Sequence, residues 1–228
     1  MGIPQYLAMT EAEIAKAAVL PPKLARMGCH FSETGLAGLP EALPEGALLV
    51  LDDSTPMGRQ SIPEIAGALR GVLSRFSCRG LVLDFQRPAI APQRALAAFL
   101  RDRLPCPLAA PPEYAPENCA VFLPPVPIPQ AVEDFLAPWQ GREIWLDTGP
   151  GETTLRLTKQ GCAVLPGPGG STPGTFYDDA LCCRYSIQAE PDGFSFRLRR
   201  DGQCVQALLS RAEGLSVTLA IGLWQELR

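Results

Sequence analysis

Apolar residues along this chain fall into short continuous runs, most of them closed by glycine, proline or an acidic residue. Eight runs stand out: Ala25–Phe31, Ala47–Leu51, Gly80–Phe85, Pro107–Ala110, Cys119–Leu123, Glu143–Leu146, Gly161–Leu165 and Ser216–Leu223. Continuous rather than alternating runs are the pattern of strands covered on both faces, as in a parallel sheet. Between them, Ser61–Phe76 sets Ile62, Ile65, Leu69, Val72, Leu73 and Phe76 on a helical stripe. Ser61 with Glu64 three residues on has the spacing of a capping box. Pro92–Leu104 repeats the stripe with Leu96, Phe99, Leu100 and Leu104, and Pro129–Phe135 and Gln203–Ala212 are shorter versions.

Strands alternating with helices predict right-handed crossovers and a parallel sheet. Eight strands favour closure, so the expected fold is α/β: a shortened or irregular TIM (β/α)8-type barrel, a single domain over residues 1–228. It is shortened because 111–118 and 148–160 are too short or irregular for full crossover helices. Cys183–Gln188 and Phe194–Arg199 flank Pro-Asp-Gly, which predicts an antiparallel hairpin inserted at about 182–200, before the last helix and strand. Its basic end, "RLRR", reads as a solvated strand face. The stretch Pro166–Gly174 reads as a flexible loop. It has neither G-x-G-x-x-G spacing nor a lysine, so it is no phosphate cradle.

Composition narrows the partners. The 228 residues are 46% apolar and 19% charged, as an ordinary globular core requires. A net charge of −4 without a basic stripe argues against nucleic acid. The absence of a polybasic amphipathic segment and of a membrane-length apolar run argues against a membrane partner. The opening residues lack a charged segment followed by an apolar one, so the expectation is a cytoplasmic protein whose eight cysteines stay free. Most of them read as small core hydrophobes. Cys182 and Cys183 are adjacent, but with one histidine, His30, and no second cysteine pair, neither a metal centre nor another cofactor is expected. Neighbours in a strand point oppositely, which puts one of the two cysteines in and the other out.

In a barrel, ligand-handling side chains stand at the C-terminal ends of strands. Asp52 and Asp53 end the second predicted strand, Asp84 the third and Asp147 the sixth, while Tyr177, Asp178 and Asp179 follow the seventh. Carboxylates gathered at one mouth serve acid/base work or collect sugar hydroxyls. Each also has a plainer reading, as a helix cap or a turn former, which "DDSTP" fits well. Asp84 differs, because it sits inside the strand pattern, where an unpaired carboxylate is costly. His30 either lines the mouth or is a satisfied structural residue. Trp139 and Trp145 read as packing anchors. Ser54 and Ser171 have no partner except His30, which is too little for a triad.

The stretch "RGLVLDFQ", Arg79 to Gln86, resembles the catalytic strand of glycoside hydrolase family 18, whose pattern is D-G-x-D-x-D-x-E. "TFYDDALCCRYSI…GFSFRLRRDGQCVQALLSRAEGLSVTLAIGLWQEL" is similar to the closing section of these barrels, especially in spore and cell-wall-associated members. The resemblance covers that strand and about the last fifty residues. It implies a substrate-assisted mechanism, in which a Glu protonates the glycosidic oxygen and an Asp orients the substrate's N-acetyl group. Carried over, the orienting residue is Asp84 and the acid position is Gln86, with Arg79 and Val82 at the two earlier acidic positions. Trp224 would be the sugar-stacking floor, and Tyr177 and Asp178 the pocket wall. An amide delivers no proton, so the resemblance implies a barrel that binds an N-acetylglucosamine-type glycan without cleaving it. Two alternatives stand beside it. One is an active glycosidase whose acid is Asp52, Asp53, Asp147 or Asp178; the other is a non-catalytic structural or interaction protein with the hairpin as its surface.

Overall fold

The computed structural model describes residues 2–88, 91–167 and 176–227. From the N-terminus the elements are β1 (Gln5–Met9), α1 (Glu11–Lys16), β2 (Leu24–Ser32), β3 (Gly35–Ala37), β4 (Leu48–Asp52), α2 (Ile62–Arg75) and β5 (Gly80–Asp84). Then come α3 (Ala91–Arg101), β6 (Leu108–Ala110), β7 (Ala120–Leu123), α4 (Val132–Leu136) and β8 (Ile144–Thr148). Four strands follow without a helix: β9 (Gly151–Thr158), β10 (Gly161–Pro166), β11 (Phe176–Asp178) and β12 (Cys183–Glu190). The chain closes with β13 (Gly193–Arg200), α5 (Gly202–Ala212) and β14 (Val217–Leu223).

Parallel pairing runs β1-β14-β8-β7-β6-β5-β4-β2, and β1 also pairs with β2, which closes the ring. The expected eight-stranded barrel is therefore present. β3 adds a short antiparallel strand to β2.

Alternation along the strands builds two layers. Inward-facing Tyr6, Ala25, Leu48, Val50, Val82, Ala109, Ala120, Trp145, Leu219 and Ile221 fill the barrel. Outward-facing Leu49, Leu51, Leu81 and Leu83 pack under α2 and α3 through Ile65, Leu69, Leu73, Leu96 and Leu100. Val121, Ile144, Leu146 and Ala220 do the same under α4 and α5. The Trp145 indole is 2% exposed and comes so close to the backbone of Gly80 that a Cβ there would lie 2.5 Å from its ring. Only glycine leaves room for the indole at that level. In β2, Gly28 at φ 96° sits where the register with β4 shifts, a bulge that puts Cys29 and Phe31 into the outer layer.

The helix signals act as read. The Glu64 carboxylate accepts from the Ser61 backbone N–H at 2.8 Å and from its hydroxyl at 2.7 Å, fixing the start of α2. Among the described residues, no helix is long and apolar enough to cross a membrane.

Two strand assignments need correction. The first barrel strand is Gln5–Met9, whose short run with a single β-favouring aromatic gave little signal. Gly161–Leu165 is not in the barrel; it lies in β10, at the edge of a second, antiparallel sheet ordered β10-β9-β13-β12-β11, with all six residues of β10 exposed. A short apolar run between glycines and prolines looks alike whether a sheet buries it or leaves it at a rim. The predicted hairpin is real, as β12 paired with β13, but it forms the middle of this larger sheet, and 151–158 is strand rather than irregular chain. Most of the Pro166–Gly174 loop lies outside the described residues; Pro166 itself ends β10.

Two further expectations change. Cys182 and Cys183 are both buried, in separate apolar clusters on the two sides of the chain. Arg200, read as part of a solvated face, is 3% exposed. It donates to the carbonyls of Leu181 at 2.9 Å and Val126 at 2.6 Å, tying the second sheet to the loop after β7.

Candidate functional site

The inward register of β4, β5 and β8 ends in three carboxylates. Asp52 lies directly across from Asp84, and each continues the inward set of its strand, Leu48 and Val50 in one case and Val82 in the other. Asp147 follows Trp145 on the inward face of β8. A cavity of about 200 Å³ opens above the barrel core, lined by Val82, Asp84, Gln86, Phe122, Asp147 and Leu223 among others. It shares Asp84, Gln86, Phe122 and Asp147 with a groove of about 550 Å³. That groove is walled by Pro111, Pro112, Pro124 and Pro125, with Phe135 and Trp139 along it. On the other side, Asp52, Asp53, Ser54, Asp84, Gln86 and Arg87 surround a third hollow of about 370 Å³.

Gln86 points into this mouth, its side-chain amide donating to Asp84 Oδ1 at 3.2 Å. The loop that carries it is held from below by Asp53. This carboxylate is 2% exposed and accepts the backbone N–H of Gln86 at 2.9 Å, that of Arg87 at 3.1 Å and the Gln93 amide at 3.2 Å. The Tyr114 hydroxyl completes the support by donating to the Arg87 carbonyl at 2.9 Å. Asp52 and Asp53 therefore divide the work: alternation turns the first into the mouth and the second beneath the loop. Asp52 also accepts the Ser54 N–H at 2.9 Å, the turn expected of "DDSTP".

Electrostatics separate the mouth carboxyls from ordinary ones. Burial, then the Asp84 charge and that of Glu226, pushes Asp147 up to about 6. Burial raises Asp84 as well, with Asp52 and Asp53 adding to the rise while the Gln86 amide opposes it. A raised aspartate has a definite linkage sign. Between about pH 4 and 6 the native state holds a proton that the unfolded chain has released, so this group's contribution falls as pH rises through that window. At roughly 1.4 kcal/mol per unit, the loss is up to about 3 kcal/mol. Asp147→Asn is expected to be stabilised relative to the unmodified protein at pH 7 but not at pH 4, as read from urea midpoints at the two values.

Not every predicted residue reaches the mouth. Trp224 lines none of the three cavities. Leu219, Ile221 and Leu223 form the inward set of β14, so the next position faces outward, and the indole packs against Met9, Leu24 and Ala47 beside Ile14 of α1. Tyr177 and Asp178 belong to β11 of the second sheet rather than to a loop, and they too line none of the cavities. Asp178 caps the next turn by accepting the Leu181 N–H at 2.9 Å. Asp179 pairs with Arg211 of α5 at 3.3 Å. His30 lies across from Asp52 in register, with Nδ1 3.0 Å from the Gly28 carbonyl oxygen. Among the described residues, no group of three or more His, Cys, Asp or Glu side chains is arranged to hold a metal ion.

Sequence reasoning missed the groove. Trp139, read as a packing anchor, is half-buried along it, with Phe135 four residues earlier and Pro124-Pro125 closing β7. A double proline after a strand followed by aromatics four apart was the available signal. Gln93 was also missed; it is the one buried polar residue on an otherwise apolar helical stripe.

No protein-family model matches the sequence, and no curated protein sequence is similar to it. Solved structures are. The spore cortex-lytic enzyme SleL of Bacillus cereus aligns over 96% of this chain and 70% of its own, at 11% identity and a TM-score of 0.54. A glutamate-to-glutamine mutant of the class V chitinase of Nicotiana tobaccum, in complex with NAG4, aligns over 98% and 94% at 11% identity and a TM-score of 0.56. A doubly mutated GH18 chitinase of Cycas revoluta, one change again being glutamate to glutamine, in complex with (GlcNAc)4, aligns over 97% and 94% at 13% identity and a TM-score of 0.53. At these identities the likeness concerns the backbone, and it is consistent: this chain has the barrel fold of the GH18 chitinases and of the spore cortex-lytic enzyme SleL.

Proposed function

We propose that the barrel mouth binds a glycan of the N-acetylglucosamine type and does not cleave it. The observation that carries this reading is the side chain at position 86. Asp84 and Asp147 turn inward at a cavity continuous with a groove bearing aromatic side chains, and the residue beside Asp84, where the resemblance puts the acid, is an amide already donating to that carboxylate. An amide can hydrogen-bond a sugar oxygen but cannot protonate one. Val82, at the next inward position below Asp84, supplies no second carboxylate. The two chitinase complexes described above, each a glutamate-to-glutamine mutant, hold tetramers of N-acetylglucosamine, which shows for those proteins that such a change is compatible with bound sugar. The likeness to SleL favours a spore or cell-wall setting.

Asp84, Asp147, Asp52 and Gln86 are the polar contacts in this reading, and Phe122, Phe135 and Trp139 the stacking surface. Calorimetry with N-acetylglucosamine tetramer should give binding without product. Trp139→Ala should weaken it about fivefold, in line with roughly 1 kcal/mol for a lost aromatic face. Trp224→Ala, outside the cavities, should change it less than about twofold. Absence of any binding, or an effect of Trp224 larger than that of Trp139, would overturn the reading.

One observation favours a second reading, an active glycosidase. Asp147 shares the cavity with Asp84 and holds its proton to about pH 6, as a general acid must. Product formed by the unmodified protein and abolished by Asp147→Asn would replace the first reading with this one.

A further inference from the structure

Nine large apolar side chains are exposed in the described structure, and seven of them belong to the five-stranded sheet. Register sorts these seven, because directly opposed residues of an antiparallel ladder share a face. Leu157 lies across from Phe194, Val164 across from Leu155, and Phe196 across from both Leu155 and Ile187; Phe176 lies across from Tyr185. Leu157, Val164, Phe176, Ile187 and Phe194 are therefore on one side. Thr154, Arg156, Ser186 and Arg197 are on the other, with Leu165 and Tyr177.

Near the barrel the apolar side is covered. Cys183 and Leu198 are buried against Ile128, and Leu155, Tyr185 and Phe196 pack around them. Farther out, Leu157 is 41% exposed, Ile187 49%, Phe194 53% and Val164 62%. An antiparallel sheet with one wet face normally wets its polar one. Here the outer half of the apolar face is bare as well.

We propose that this face docks a second copy of the chain, apolar side to apolar side, as a two-fold sheet-on-sheet dimer. Area argues for this occupant. With about 200 Å² for a large side chain, half of it exposed, the five residues present roughly 500 Å² of apolar surface. One side of a standard protein interface buries about 800 Å², some 60% of it apolar, so roughly 500 Å² is what each copy has to supply. The rim is self-complementary. Lys159 stands at the β9–β10 turn and Asp192 at the neighbouring β12–β13 turn, both beside Leu157 and Phe194. A two-fold axis offers the basic turn of one copy to the acidic turn of the other. Two twisted sheets stacked about 10 Å apart in near alignment form an ordinary sandwich. None of the five residues lines the barrel mouth, so the dimer stands independently of glycan binding.

Sedimentation of the full chain across the micromolar range tests the proposal. The expected species has twice the 24.5 kDa chain mass. Ile187→Lys, at a half-exposed position that leaves the barrel core untouched, should weaken association by roughly 100-fold, since a desolvated charge would sit at the interface centre. Cys162 gives a second readout. It is the one exposed thiol among the described residues and lies in the same row as Leu157 and Phe194. Its alkylation should be about tenfold slower in the dimer than in Ile187→Lys. A chain that stays monomeric throughout, or a dimer that Ile187→Lys leaves intact with Cys162 equally reactive in both, would overturn the proposal.

Discussion

A Gln86→Glu variant is expected to release product from N-acetylglucosamine oligomers at least about 100-fold faster than the unmodified protein, since a general acid is typically worth 10²–10⁴ in rate. The geometry asks for nothing else to move. The Gln86 side chain already reaches Asp84 at 3.2 Å, and a glutamate of the same length would occupy its place. A carboxyl set there would be driven to keep its proton. Asp84 beside it is itself raised by burial and by Asp52 and Asp53, and Asp147 shares the cavity. Like charges crowded in a partly dry mouth hold a proton between them, which is the state an acid needs at the start of the reaction. Adding Asp84→Asn should return the variant to background if Asp84 has the orienting role that the resemblance gives it. Oligomers bound by Gln86→Glu with no product formed would mean that the mouth lacks more than an acid.

The second large effect concerns Asp53. Replacing it by alanine strands three donors beneath the mouth: two backbone N–H groups and the Gln93 amide. At roughly 1–3 kcal/mol for each buried group left unpaired, and with partial rescue by water, a loss of about 3–5 kcal/mol is expected. For a domain of this size that lowers the thermal midpoint by about 10 °C. Glycan affinity should fall too, even well below the melting range, because Gln86 loses its fixed backbone. Asp52→Ala provides the contrast: its carboxylate accepts a single turn N–H, so about 1 kcal/mol or less is at stake. Equal destabilisation by the two substitutions would contradict the division of labour between them.

That contrast also shows how far the sequence could be read. The barrel was legible because strands buried on both faces leave uninterrupted apolar runs, and the helices between them carry their own stripes and caps. The same double burial hid the orientation of the acids. In β4, Leu48 and Val50 face in while Leu49 and Leu51 face out, and both sets are equally apolar. Nothing in "LLVLDD" marks which aspartate turns toward the mouth. In β5 the problem was smaller, because Asp84 falls on the same side as Gln86 whichever side that is. At β14 it decided the outcome for Trp224, which sits one position out of phase with the inward set. Residues of the second sheet were misread for a different reason. Its outer strands carry barrel-like apolar runs, but those runs meet solvent, and which of the two a run meets is set by distant chain that a local pattern does not contain.

The indole of Trp145, seated against Gly80, bears on traffic through the molecule. Buried side chains, Trp145 among them, fill the barrel beneath the acidic residues, a packed core rather than a pore. Whatever enters at the top must depart by the way it came. A barrel packed in this way can hold a guest only at its mouth, and it cannot serve as a conduit.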